Sequence, residues 1–336
     1  MTRTLNVDPA GPLDLLRACP AYIATSLTHT AIAGRGMWVK DETHRMRLGA
    51  FKALGGVYAV ARLIEAGLGQ QIAPEDFASE DTKTAASAMT FVCASAGNHG
   101  MSVAAGAQLF GVQARIYLAE TVDEAFAERL RGRGAKVVRA GETYEESVAA
   151  AVGDAARTGA IHLADGSWPD YTEPPRLVME GYTIIAEEMR DTLRDASTWP
   201  DHVYLQAGVG GFAAAIAEMI RRNWDVQPKI TVVEPEAAAC LKASVAVGKV
   251  CTVEGPVSDM GRLDCKTPSM LAFESLRHTA DAFETVSEKE AQAAVQAAAE
   301  AGFGTTPSGA AGLAAALRGS AKSPLVILSE GAVDAG

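Results

Sequence analysis

No run of lysine and arginine occurs anywhere in these 336 residues, and the formal charge is -11. The chain therefore lacks the basic footprint that phosphate backbones and anionic membranes attract, which argues against nucleic-acid and membrane-surface binding. The first residues, MTRTLNVDPAGPLDLL, hold no apolar stretch and no small-residue cleavage site, so no secretory signal is visible and a cytoplasmic location is expected. Cysteine is scarce. The five present (Cys19, Cys93, Cys240, Cys251, Cys265) form no CxxC pair and no metal-ligand spacing, so no metal site is indicated. An odd count in a cytosolic-looking chain argues for mostly reduced thiols, with a Cys240 to Cys265 bridge left open. Charge is absent from Thr84 to Ala114, but Asn98, His99, Gln108, Gln113 and several glycines interrupt that stretch. It reads as a buried strand, a turn and a buried helix rather than a membrane span. No fixed-period repeat and no long low-complexity segment appears.

What is present is a large apolar content, 48% of the residues, enough for one or two globular domains. Short runs rich in Val and Ile (MTFVCAS, ARIYLA, AKVVRAG, AIHLAD, HVYLQAG, KITVVEP, PLVILSEG) read as strands. Helical patterns such as TYEESVAAAVGDAARTG and GGFAAAIAEMIRRN alternate with them. Repeated strand-helix-strand units with apolar strands predict an α/β architecture, mostly parallel sheets with helices on both faces. The polar stretch Leu68 to Ser87 reads as an exposed connection, and the turn-rich DGSWPDYTEPP as a return between lobes. The expected division is a large domain of residues 1–84 and 179–336 and a small domain of residues 85–178, with the site in the cleft between them at the carboxyl ends of strands.

Three places carry chemistry. In LGAFKALGGVYAVA, Lys52 is the lone charge, and its neighbours one helical turn away are Leu48, Gly49, Gly55 and Gly56. A desolvated lysine without an anion loses pKa and becomes a usable amine; a lysine snorkelling to solvent from a helix edge is the ordinary alternative. In CASAGNHGMSVAAGAQLFG a strand ends in Ser95, Ala96, Gly97, Asn98 and His99 and a helix begins, so freed N–H groups can receive a carboxylate, Ser95 can cap the helix, and Asn98 offers a donor and an acceptor. The alternative is an ordinary capped turn, with His99 a packing residue. In VYLQAGVGGFAAAIA, Gly208, Gly210 and Ala213 fit G-x-G-x-x-A, and the following strand ends in Glu234, which is literally a dinucleotide fingerprint. The loop itself says only that bare backbone amides take a phosphate, and a nicotinamide reading leaves Lys52 and the Asn98 turn without a role.

Taken in order, AFKALGG, SAGNHG, QAGVGG, TTPSGAAGL and LSEG resemble the fold type II pyridoxal-phosphate enzymes, the tryptophan synthase β-like group that includes serine and threonine dehydratases. The likeness runs from about Asp41 to Gly331. Within that group KDETHRMRLGAFKALGG, MEGYTIIAEEM and VVEPEAAACL are most similar to the diaminopropionate ammonia-lyases. The resemblance implies pyridoxal 5'-phosphate as cofactor and a homodimer. It makes Lys52 the Schiff-base lysine, Asn98 the partner of the ring hydroxyl, Gly208, Val209, Gly210 and Gly211 the phosphate cradle, and Ser329 the hydroxyl beside the pyridine nitrogen. A neutral hydroxyl there favours elimination over deep carbanion chemistry.

The implied reaction is an α,β-elimination on a 3-substituted amino acid such as 2,3-diaminopropionate, giving a 2-oxo acid and ammonia. Lys52 removes the Cα proton, Asp165 in ADGSWPDY assists the leaving group, and the α-carboxylate docks at Ser95, Gly97, Asn98 and His99. An aspartate ending a strand is also a common turn former. The sequence departs from the ammonia-lyase pattern at Ala96, where that family commonly carries Asp, so use of both D- and L-substrates is not implied. It is also shorter, with connections trimmed after Met260. A dehydratase or other β-lyase for L-serine, L-threonine or 3-hydroxyaspartate shares every cofactor residue and is the alternative.

Overall fold

The computed structural model describes residues 5–332. Helix α1 (Ala10–Ala18) leads into strands β1 (Leu27–Ile32) and β2 (Arg35–Asp41), an antiparallel hairpin whose two-residue turn has Ala33 at φ 49° and Gly34 at φ 76°. Both turn residues lie in the left-handed region, which matches the twist of paired strands. Then come α2 (Lys52–Leu68) and α3 (Glu80–Ala86), so part of the expected exposed connection is helical, capped by the Ser79 hydroxyl accepting from the Thr82 amide at 3.2 Å. The small sheet follows: β3 (Thr90–Ala94), α4 (Asn98–Leu109), β4 (Gln113–Leu118), α5 (Glu124–Arg131), β5 (Lys136–Arg139), α6 (Tyr144–Thr158) and β6 (Ile161–His162). Helix α7 (Glu173–Asp195) returns to the large sheet, which continues through β7 (His202–Gln206), α8 (Gly211–Asn223), β8 (Lys229–Pro235), α9 (Cys240–Val247), α10 (Met270–Thr279), β9 (Ala282–Val286), α11 (Glu288–Glu300), α12 (Pro307–Arg318) and β10 (Pro324–Leu328).

The large sheet has strand order β1-β2-β10-β7-β8-β9, and the small sheet β5-β4-β3-β6. Apart from the β1-β2 hairpin, every pairing within these sheets is parallel. Strands β7 and β10 are buried along their whole length, because helices cover both faces; this is why they read as unbroken apolar runs. The loops that follow β3, β6, β7 and β10 carry Ser95 to Asn98, Asp165, Gly208 to Gly211 and Ser329. Carboxyl ends of parallel strands thus supply the site, as α/β sheets require.

Bare glycine surfaces fix helix α2, which begins at Lys52. A Cβ on Gly181 of α7 would lie 2.7 Å from the Gly55 Cα, and one on Gly106 of α4 would lie 3.3 Å from the Val57 Cα. A side chain at Gly55 would run into Val178 O at 2.6 Å. Gly55 therefore serves close helix contact rather than open space around the lysine.

A buried charge cluster ties β2 to α7. The Arg45 guanidinium donates to Glu42 Oε2 and Oε1 at 2.7 Å each and to Glu188 Oε1 at 2.8 Å and Oε2 at 2.7 Å. Lys40 Nζ donates to Glu188 Oε2 at 2.5 Å and Thr25 O at 2.7 Å, while the Tyr22 hydroxyl reaches Glu188 Oε1 at 2.7 Å. Two cations balance two anions, with nearly every polar atom partnered. Replacing Arg45 by Met is expected to cost about 3–5 kcal/mol, because it takes the close cation from buried Glu42 and leaves Glu188 to Lys40 and the Tyr22 hydroxyl; urea unfolding at neutral pH measures it. Burial would raise the Glu188 pKa, but Arg45 and Lys40 outweigh it and hold the group below its ordinary value. A depressed carboxylate stabilises above its unfolded pKa and ceases to as pH falls through its folded pKa, so the cluster's contribution is lost on the acid side.

Candidate active site

Lys52 opens α2 with its ammonium on the Asp165 carboxylate, 113 residues away in sequence. Burial acts to lower the Lys52 pKa, but the charge of Asp165 more than reverses it and the group is raised. The expectation of a depressed amine is corrected accordingly: its anion comes from a distant loop that the lysine's own helical neighbours do not reveal. Asp165 mirrors this. Burial would raise it, yet the Lys52 ammonium holds it well below the usual carboxylate range.

The Asp165 loop is tied to the glycine loop through one serine. Ser269 Oγ lies 2.7 Å from Ser167 Oγ and accepts from the Ser167 amide at 3.1 Å, and its own amide donates to Val209 O at 2.9 Å. Asp165 O lies 3.8 Å from where a Cβ on Gly211 would stand. In the glycine loop, Gly210 has φ 97° and starts α8 with no side-chain cap, so the first amides of that helix have no local acceptor. A Cβ on Gly208 would stand 2.9 Å from Cys265 Sγ, and one on Gly210 would stand 2.8 Å from Leu241 Cδ1. Only bare backbone fits here, which suits a phosphate held by amides.

The lysine segment and the last strand are also joined. The Phe51 amide donates to Ser329 O at 3.1 Å. The Ser329 hydroxyl is buried and accepts from Gln206 Nε2 at 2.9 Å, leaving its own proton free for an acceptor such as a pyridine nitrogen. Beside it, Glu330 accepts from Asn98 Nδ2 and from the Thr306 hydroxyl at 2.5 Å. Ser95 does not sit at the cap position, which Gly97 takes, but its hydroxyl accepts from the Gly97 amide at 3.2 Å and the Gly100 amide at 3.1 Å. His99 is buried, with Nε2 donating to Leu163 O at 2.8 Å and Nδ1 without a partner. Burial, foremost, lowers its pKa, so the imidazole is neutral and ties α4 to the strand that leads to Asp165. Ala96 is exposed on this turn.

The structure thus brings together Lys52, Asp165, Asn98, Gly208 to Gly211, Ser329 and the Ser95 to His99 turn. Three neighbours were not singled out in the sequence: Glu330, Ser269 and Arg262. Glu330 stood in view within LSEG, but nothing local marks a carboxylate that will meet an asparagine 232 residues away. Glu234, the acid of the dinucleotide fingerprint, is spent otherwise: its two oxygens accept from the amides of Leu241 at 2.7 Å and Lys242 at 2.8 Å at the start of α9. Burial raises its pKa to about 7. It has no free edge for a ribose. All five cysteines are free thiols, so Cys240 and Cys265, which both approach Gly208, are not bridged.

A lysine at the start of one helix and a loop of bare backbone amides at the start of another suit an enzyme of the class that holds a phosphorylated aldehyde cofactor. The chain belongs to the pyridoxal-phosphate dependent enzymes, matching that family over residues 20–330, and pyridoxal 5'-phosphate is its cofactor. It is 34% identical over 248 residues to the diaminopropionate ammonia-lyase of Escherichia coli K12, covering 73% of this chain and 62% of that enzyme. It thus spans less than two thirds of that relative's length. A human serine dehydratase-like protein is 31% identical over 206 residues, 61% of this chain and 59% of that one. The crystal structure of E. coli diaminopropionate ammonia lyase in complex with an aminoacrylate-PLP azomethine reaction intermediate superposes with a TM-score of 0.84 at 25% identity, covering 99% of this chain and 93% of that one. Among the described residues no helix is long and apolar enough to cross a membrane.

Proposed function

We propose that this chain is an ammonia-lyase that eliminates ammonia across Cα and Cβ of L-2,3-diaminopropionate, leaving a 2-oxo acid. The observation that carries this reading is the Lys52–Asp165 pair: a carboxylate set directly on the one amine placed to work at the cofactor. The cofactor, when bound, supplies an electron-withdrawing ring that stabilises negative charge at the substrate Cα. Lys52 Nζ takes the Cα proton once its own charge is gone. The Cβ–N bond breaks and its electron pair leaves with nitrogen as ammonia; the enamine released hydrolyses to the 2-oxo acid and a second ammonia.

Asp165 changes partners in this scheme. Its low pKa rests on the ammonium of Lys52, so it needs a new cation when that lysine is engaged. The β-ammonium of diaminopropionate is such a cation, and a β-hydroxyl is not, which is why we place this substrate ahead of L-serine. Asn98 orients the ring substituent, the Gly208 to Gly211 amides hold the phosphate, Ser329 meets the ring nitrogen, and the Ser95 to His99 turn receives the α-carboxylate. The working unit is proposed as a cytoplasmic homodimer.

A dehydratase acting on L-serine or L-threonine is the second reading, favoured by Ala96, which places no carboxylate at that position of the turn. Release of 2-oxo acid from L- and D-2,3-diaminopropionate and from L-serine separates the two. The expected order in kcat/KM is the L-diamine, then L-serine, with the D-diamine weakest. L-Serine turned over faster than either diamine would overturn the proposal.

A further inference from the structure

Arg262 lies in the connection between α9 and α10, outside every motif that carries the family likeness. Its main chain packs on the glycine loop: a Cβ on Gly208 would stand 3.2 Å from Arg262 O. Its backbone amide is pinned by the Ser308 hydroxyl at 3.1 Å. From there the side chain crosses to the turn before α4, where Nη1 would stand 2.7 Å from a Cβ on Gly97. Only glycine at position 97 lets the guanidinium come this close. Nη1 is buried and has no hydrogen-bond partner. The nearest anion is Glu330, 3.9 Å from Nε, and both of its oxygens are already taken by Asn98 and Thr306.

A buried guanidinium nitrogen with nothing to donate to is costly, and an anion relieves it. We infer that Arg262 binds the α-carboxylate of the amino-acid substrate at the Gly97 turn, leaving its loose contact with Glu330 to do so. The arginine thereby anchors substrate from the large sheet while the turn amides hold it from the small one, so carboxylate binding draws the two sides together. This inference rests on the lyase reading above and adds a residue to its substrate site.

The test is a titration of the holoenzyme with L-alanine, which has no leaving group, and with L-alaninamide, which lacks the carboxylate, following the cofactor's visible absorption. Arg262→Leu is expected to weaken L-alanine by about 10- to 100-fold, the range for a hydrogen bond to a charged group, while alaninamide changes by less than about twofold. Arg262→Lys, which keeps charge but not the fork, should fall between. Equal affinity of wild type and Arg262→Leu for L-alanine would overturn the inference and leave the lyase reading standing. An equal loss for both ligands would overturn it too, showing general damage to the site. A wild-type holoenzyme that responds to neither ligand would overturn this inference and the function together.

Discussion

Lys52→Ala is expected to lose essentially all elimination. Loss of a positioned base alone costs about 10²- to 10⁴-fold, and the covalent anchor of the cofactor goes with it. The fold should survive, because α2 is held through Gly55, Val57 and their contacts with α7 and α4, none of which involves the lysine side chain. Rates of 2-oxo acid formation from L-2,3-diaminopropionate, with circular dichroism as the control, measure the effect. Partial recovery with added small amines would show that an amine, and not the bulk of the side chain, is what the variant lacks. Activity within tenfold of wild type would remove Lys52 from the chemistry.

Asp165→Asn is the second large effect and has two readouts with opposite signs. Elimination from the diamine should fall about 100-fold, within the range for a positioned acid or base, and elimination from L-serine should fall less, because only the diamine offers a β-cation. Cofactor loading should become faster near neutral pH. Burial lowers the Lys52 pKa and Asp165 is the foremost influence raising it, so removing the carboxylate shifts the lysine downward. More neutral amine is then present at a given pH. Stopped-flow mixing of cofactor-free protein with pyridoxal phosphate, followed across pH 6 to 10 by absorbance, should show the wild-type rate still climbing where the variant has levelled off. Superimposable profiles would mean that the ion pair does not govern the lysine.

The architecture was legible where burial is two-sided. Strands β7, β8 and β10 announce themselves as apolar runs, and the helices between them by period. The β1-β2 hairpin does not: LTHTAI alternates weakly, and its turn is Ala33-Gly34 rather than an Asn-Gly pair. Strand β9, AFETV, is as long as β7 and β10 but only half-buried, so it carries no unbroken apolar run. At the candidate site, Lys52, Asn98, Gly208 to Gly211 and Ser329 could be picked out because a local backbone pattern surrounds each of them, and the structure gathers them at the carboxyl ends of strands. The state of Lys52 could not, since its charge depends on Asp165 across a long loop. Arg262 was hidden for a related reason: its neighbours in sequence carry no pattern, and its significance comes from an unpartnered nitrogen over Gly97. The dinucleotide fingerprint shows the converse, a local pattern whose last member, Glu234, turns out to cap the start of α9.

The claim on which all of this depends is that Lys52 is the residue to which the cofactor is joined. Reduction of the holoenzyme with borohydride, digestion, and mass spectrometry of the pyridoxyl-bearing peptide test it directly. The account predicts a single labelled site, Lys52, with no label after the same treatment of Lys52→Ala. Label on any other lysine, or none at all in protein saturated with pyridoxal phosphate, would contradict it.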